Sequence, residues 1–351
     1  MTAPRRVGWW LVACAAMVAV TLTVGGTTRL TRSGLSITEW RPIAGVIPPM
    51  SDAAWADALD KYRQTPEYRL VNRGMSLEEF KGIYWWEFWH RIAGRAIGLV
   101  FLLPYLYFLV QRAIPSHLHG RLVALFVLGG LQGALGWFMV ASGLVDSPMV
   151  SPVRLTAHLS LALFLYVALL WTALGLLSPG RPDHTPPPQW RRWAQGLLVL
   201  SALMVVTGGL VAGSRAGHVF QTFPLMDGSL VPPGLYALHP WWNNLVLNMG
   251  AIQFHHRMAA WLLVLVVALL QTRQHAAPER VRRAIRMIGA AVLLQVTIGA
   301  FTVMTGVPVA LGVLHQFGAL GVITAVVWFA HLVCVPTKLT QHLHAASPHS
   351  P

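Results

Sequence analysis

Acidic side chains are scarce in this chain, and cysteine is scarcer. Its 351 residues include 12 Asp and Glu, and charged residues of both signs make up 11%, against 55% hydrophobic. A soluble domain needs a charged surface, so this balance excludes one and points to a polytopic membrane protein. The two cysteines, Cys14 and Cys334, fall in apolar runs expected near the cytoplasmic side. They cannot build an external disulfide framework and read as small buried apolar residues. Transit-peptide features are also lacking, and no small-residue cleavage signal follows the first apolar run, so that run reads as a retained helix. A bacterial cytoplasmic (inner) membrane is the location this favours.

Long uncharged runs are plentiful. They extend over Val7 to Thr28, Leu122 to Val145, Leu155 to Gly180, Trp193 to Ser214 and Met287 to Thr337, the last long enough for two spans around "TGVP" at 305–308. With the shorter runs after Arg95 and Arg257, eight transmembrane helices are expected, near 8–28, 86–110, 122–142, 153–177, 194–213, 250–271, 284–304 and 309–335. The net charge of +14 raises nucleic acid as a partner, and the placement of the basic residues removes it. Arg5, Arg6, Arg112, Arg121, Arg181, Arg191, Arg192, Arg273, Arg280, Arg282, Arg283, Arg286 and Lys338 share one side of the spans, while the short loops opposite carry Arg154 and Arg215. By the positive-inside rule both termini are cytoplasmic, and anionic lipid is the partner the charge implies. The mixed-charge loop 29–85 is then external. The tail with His342, His344 and His349 reads as a solvated end rather than a metal site.

The two halves of the chain align helix by helix. "VTLTVGGTTR" at 20–29 pairs with "LMVVTGGLVA" at 203–212, "GVIPP" with "SLVPP", "EFWHR" with "QFHHR", "GGLQGALGWFMVASG" with "VLLQVTIGAFTVMTG", and His158 with His315. The offset shrinks from 183 to 166, 163 and 157, so loop lengths alone differ. Four helices per half with matching direction make a parallel repeat about the membrane normal. The expected architecture is an all-α integral membrane protein of two pseudo-symmetric four-helix bundles, residues 1–180 and 181–351. Gly25, Gly26, Gly129, Gly130, Gly133 and Gly136 either let helices approach closely or make room for a flat ligand.

Each helix expected to run from outside to inside carries a histidine near its outer end: His90, His158, His256 and His315. Imidazole within a membrane is costly and marks function. Zinc wants three or four converging donors, often with thiolate or carboxylate, whereas each half offers one facing pair. Paired neutral imidazoles are the axial set for haem iron, and aromatic, glycine-rich surroundings suit a porphyrin. His255 points about 100° away from His256 around its helix and is expected to meet another surface, though it remains an alternative ligand. Glu87 precedes His90 by three residues, a spacing shared with di-iron bundles, but those need further inward carboxylates and no other Asp or Glu falls in an expected span. Glu87 shares a helical face with His90 and reads either as a proton acceptor or as an interfacial acid paired with Arg91 or Arg95. Gln253 takes its place in the second half, so an acid stands beside the first histidine pair alone. Arg29, Arg91, Arg154 and Arg257 share the outer level and either contact haem propionates or snorkel to headgroups.

"GGTTRLTRSGLSITEWRPIAGVIPP", "EFWHRIAGR", "LQGALGWFMVASGL", "SPVRLTAHLSLAL", "FHHR" and "LHQ" resemble the haem A synthase family, especially its alphaproteobacterial and mitochondrial form, over nearly the whole chain. The resemblance implies an oxidoreductase of haem A biosynthesis that oxidises the C8 methyl of haem O to a formyl group, for use in cytochrome oxidase assembly. It implies His90 and His158 as ligands of the substrate haem, His256 and His315 as ligands of a haem b cofactor that relays electrons, and Glu87 as the group that assists oxidation. Successive hydroxylations, with oxygen drawn from water or from dioxygen, give a gem-diol that loses water. Haem O synthase and an electron-transfer partner are the proteins it implies, with a homo-oligomer left open. Some bacterial members carry a cysteine pair in the first external loop, and this chain departs from them there. Two further readings stand beside it: a di-haem b cytochrome passing electrons between quinol and a partner, and a small-molecule transporter.

Overall fold

The computed structural model describes residues 2–41, 43–145, 147–178 and 187–334. Arg181, Lys338, the three tail histidines and the expected boundary at residue 180 lie outside them. The helices are α1 (Ala3–Leu30), α2 (Asp52–Arg63), α3 (Pro66–Leu70), α4 (Leu77–Val110), α5 (His119–Ala141), α6 (Pro152–Leu177), α7 (Pro188–Ser214), α8 (Met249–Arg273), α9 (Glu279–Met304) and α10 (Val309–Cys334), with short 3-10 turns between some of them. All but α2 and α3 are long and apolar enough to cross a membrane, eight in number among the described residues. The chain is therefore an all-α, multi-pass membrane protein, as its hydropathy requires.

Helices α1, α6, α7 and α10 pack on one another at the centre. Around them α4 lies on α1, α5 on α6 and α4, α8 on α7, and α9 on α10 and α8. Two apolar cores result. One joins Leu11, Val18, Phe101, Leu122, Leu165 and Leu169; the other joins Leu197, Val267, Ile285, Ile288, Val326 and Phe329. Leu320, Ile323 and Val327 of α10 belong to the first core although α10 also closes the second. Exposed Leu99, Leu103 and Leu106 on α4 and Leu262, Leu265 and Leu269 on α8 face outward, where lipid is the solvent.

Helix α4 starts nine residues before its expected apolar boundary at 86. Its outer turns contain Glu78, Glu79 and Lys81, which hydropathy assigns to a loop. Two local effects make them helical. Ser76 accepts from the Glu79 amide while the Glu79 carboxylate takes the Ser76 amide, a reciprocal cap. Phe80, Tyr84 and Phe88, at four-residue spacing, bury one stripe against Trp55, Leu59 and Tyr62 of α2. Ser51 caps α2 and Thr65 caps α3, so the segment between α1 and α4 is a small ordered layer packed on the start of α4. His90 consequently lies deeper along its own helix than its counterparts do along theirs.

Candidate active site

Each of the four histidines lies against a glycine of the preceding spanning helix. His90 abuts Gly25, His158 abuts Gly136, His256 abuts Gly208 and His315 abuts Gly299. A β-carbon at those glycines would come within 2.6, 2.8, 3.2 and 2.7 Å of the imidazole Cε1. Only hydrogen fits in three of the four places, so the glycines fix how near each ring sits to the neighbouring helix. Of the other small residues, Gly26 abuts Gln316 of α10, whereas Gly129, Gly130 and Gly133 meet nothing.

Polar anchors hold the rings. Gln132 donates to the His158 carbonyl at 2.9 Å, and Gln295 donates to the His315 carbonyl at 2.8 Å and approaches its Nδ1 at 3.1 Å. The Thr207 hydroxyl is 3.0 Å from His256 Nδ1. In the first half the Nδ1 atoms of both His90 and His158 are buried without a hydrogen-bond partner. His90 lies in electrostatic range of His158, as His256 does of His315. Among the described residues no group of three or more His, Cys, Asp or Glu converges as a cage for a metal ion. The donor set offered is thus two imidazole pairs, a set that suits a planar iron macrocycle better than a closed cage.

Glu87 is buried, at 2% exposure, and its charge reaches His90. Its carboxylate is ion-paired with Arg91 at 2.7 Å and accepts from the Ser36 hydroxyl at 2.7 Å and the Ile37 amide at 2.8 Å. Arg91 also donates to the carbonyls of Ile37 and Glu39. The interfacial ion pair is therefore present, and it is made by Arg91; Arg95 donates to the Arg41 carbonyl. Arg91 also borders a cavity of about 350 Å³ of mixed lining, with Ser36, Asp57, Lys61 and Arg95 on one part and Ile47, Pro48 and Met50 on another.

The second half builds the same clamp without the acid. Gln253 accepts from the Phe220 amide and donates to the Phe220 carbonyl, while Arg257 donates to the carbonyls of Phe220, Thr222 and Leu225. Ile37 and Phe220 are 183 residues apart, the offset of Gly25 and Gly208, and Glu87 and Gln253 are 166 apart, the offset of His90 and His256. Arg29 donates to the Ala212 carbonyl of α7, and Arg154 donates to the Phe138 carbonyl and stacks 3.8 Å over the Phe138 ring. All four arginines thus hold protein carbonyls. His255 turns away from His256 and meets the Tyr236 hydroxyl at 2.8 Å. Gln132, Gln295, Thr207 and Ser36 contact the candidate site residues and were passed over in the sequence, although Gln132 and Gln295 stand at one position of the aligned "LQ" motifs.

Residues 8–327 match the profile of COX15-CtaA, the cytochrome oxidase assembly protein family. The chain belongs to this family. A relative from Nitrosospira multiformis is 48% identical over 336 residues, covering 93% of each chain, and one from Nitrosomonas eutropha is 45% identical over 324 residues, covering 91% of each. A third, from Parvibaculum lavamentivorans, is 46% identical over 330 residues, covering 93% of this chain and 94% of its own. All three carry the name heme A synthase.

Proposed function

We propose that this chain is a haem A synthase, an oxidoreductase that converts the C8 methyl of haem O to a formyl group. The observation that carries the reading is the paired arrangement of glycine-seated imidazoles, with one buried carboxylate beside the first pair alone. Helix neighbours and shared offsets support two repeat halves, 1–180 and 181–351. His90 and His158 hold the substrate macrocycle. His256 and His315 hold haem b, which supplies one-electron relay when bound.

The remaining chemistry falls to this chain's own residues. Oxidising the methyl to hydroxymethyl with water releases two electrons and two protons, and repeating it gives the gem-diol, which loses water to the aldehyde. Glu87 takes a proton from the attacking water while Arg91 holds the carboxylate in place and neutralises it. The cavity beside Arg91 supplies water. An electron-transfer partner takes the electrons, haem O synthase supplies the substrate, and the protein works in the bacterial inner membrane with both termini cytoplasmic.

The test supplies haem O to membranes containing wild-type protein or Glu87→Gln and analyses extracted haems by mass. The wild type should yield the formyl product. Glu87→Gln should lose about 100-fold or more of it while keeping haem b, since Gln253 shows that an amide can hold the same loop. Two unmodified haems from the wild type would instead mark an electron carrier.

A further inference from the structure

We propose that Gln316, on the helix that carries His315, is a positioning residue for the opposite half: it fixes the stretch of α1 against which His90 rests. This rests on the reading that His90 and His158 hold the substrate macrocycle while His256 and His315 hold haem b.

The Gln316 amide donates to the Leu22 carbonyl of α1 at 2.6 Å, across 294 residues of chain. That carbonyl belongs to the helical ladder of α1, so the bond grips backbone rather than a side chain free to swing. One turn on, Gly26 is buried, and a β-carbon there would come within 2.8 Å of Gln316 Cδ and 2.9 Å of its Nε2. Only glycine leaves room for the amide at this place. A second contact lies one turn away along both helices, where a β-carbon at Gly312 of α10 would come within 2.8 Å of Leu30 Cδ1. Residue 312 thus meets 30 as 316 meets 26, so the two helices run antiparallel and share a four-residue step. Gly25, the next residue, is the seat of His90, with 2.6 Å between its would-be β-carbon and the imidazole Cε1. Successive residues point about 100° apart around a helix, so adjoining faces of α1 receive Gln316 and His90. Contact therefore runs unbroken from α10 through Gly26 and Gly25 to the imidazole.

The second half lacks this grip. Gly26 and Gly209 share the 183-residue offset, and Gln316 and Leu159 share the 157-residue offset of the histidines beside them. Leucine has nothing to donate. Gly209 instead abuts Thr156, whose hydroxyl turns back to the Pro152 carbonyl of its own helix. An amide within a span is costly unless bonded, so a glutamine where the repeat has leucine marks a role for one half alone. The asymmetry runs the same way as Glu87 against Gln253: both groups serve the half that holds the substrate. His315 keeps a separate anchor, the Gln295 amide on its carbonyl, so loss of Gln316 should be felt across the interface and not at its neighbour.

Full-length protein loaded with haem b and haem O is compared with Gln316→Leu, Gly26→Ala and the double variant Gly26→Ala/Gln316→Ala, with Gln316→Ala as its reference. Release of each haem to a haem-scavenging protein is timed, the two haems being told apart by mass, and the low-spin electron paramagnetic signal of the first site is recorded. Gln316→Leu should release haem O about tenfold faster and shift that signal, with haem b release within about twofold of the wild type. Gly26→Ala should do the same by expelling the amide, and should add nothing in the Gln316→Ala background, where the space is already free. Wild-type release and an unshifted signal in Gln316→Leu, or additive effects of the two substitutions, would overturn the proposal. Faster release of haem b alone would overturn it too, by assigning Gln316 to its neighbour His315. If Gln316→Leu does not accumulate, Gln316→Asn, one methylene too short for Leu22, decides by the same readouts. Haem O held as firmly by His90→Ala as by the wild type sinks the underlying reading, whereas haem O lost from His90→Ala but held normally by Gln316→Leu sinks only this one.

Discussion

A single hydrogen atom decides whether three of the four imidazoles can sit where they do. At Gly25 and Gly299 a methyl group would enter the imidazole's van der Waals shell, and at Gly208 it would come to 3.2 Å, where a small adjustment suffices. Gly25→Ala should therefore displace His90 and empty the substrate site, and Gly299→Ala should displace His315 and release the second haem. Gly208→Ala should retain it. Haem-to-protein ratios from absorption spectra check this ordering; equal retention in all three variants would mean the rings are not set by these contacts. Glu87 and Gln253 make a matching point about chemistry. Both hold the backbone after the first helix of their half, so that clamp needs no carboxylate.

At the scale of elements, the layer of α2, α3 and the start of α4 is where hydropathy and structure part. Apolar runs locate the spans to within a few residues at most ends, because burial in lipid is what those runs are for. They are silent on "LEEFKGIYW", whose outer turns owe their helix to the Ser76 cap and to α2. The aromatic spacing Phe80, Tyr84, Phe88 was readable, but its partner stripe on α2 lies some 25 residues away and is set by tertiary contact. Trp55 stands edge-on to Tyr84 at 4.9 Å, and Trp55→Ala should cost this layer about 3–5 kcal/mol, measured as earlier proteolysis of residues 40–75 with the spans intact. The layer also carries a pH signature. Folding raises the Glu67 carboxyl from its ordinary 4.5 to about 7, so the folded form binds a proton that the unfolded chain has already released. The contribution of Glu67 to the layer is hence full below about 4.5 and is lost as pH rises through 7, by on the order of 3 kcal/mol. Glu67→Gln should flatten that slope in hydrogen exchange.

For the whole molecule, the sequence made the span count legible, and it marked four histidines and one acid within the spans as the groups to examine, because intramembrane polar groups stand out against apolar surroundings. What it left open was where polar side chains turn. The four arginines, candidates for propionate contacts, all reach backbone carbonyls: Arg91 and Arg257 those of the loops after α1 and α7, Arg29 and Arg154 those of Ala212 and Phe138 in neighbouring helices, while Glu87 is ion-paired with Arg91. The glycine opposite each histidine was in plain view for Gly25 and Gly136, yet its contact could be known only once the helices were packed. The central claim is a division of labour between halves: one pair of imidazoles for the substrate and one for the resident haem. Its most direct test replaces one ligand from each pair with alanine and identifies the haems that remain in the purified protein. His90→Ala should lose haem O and haem A and keep haem b, and His256→Ala should lose haem b. If either substitution empties both sites, or leaves both filled, the two halves do not hold separate haems and the account is wrong.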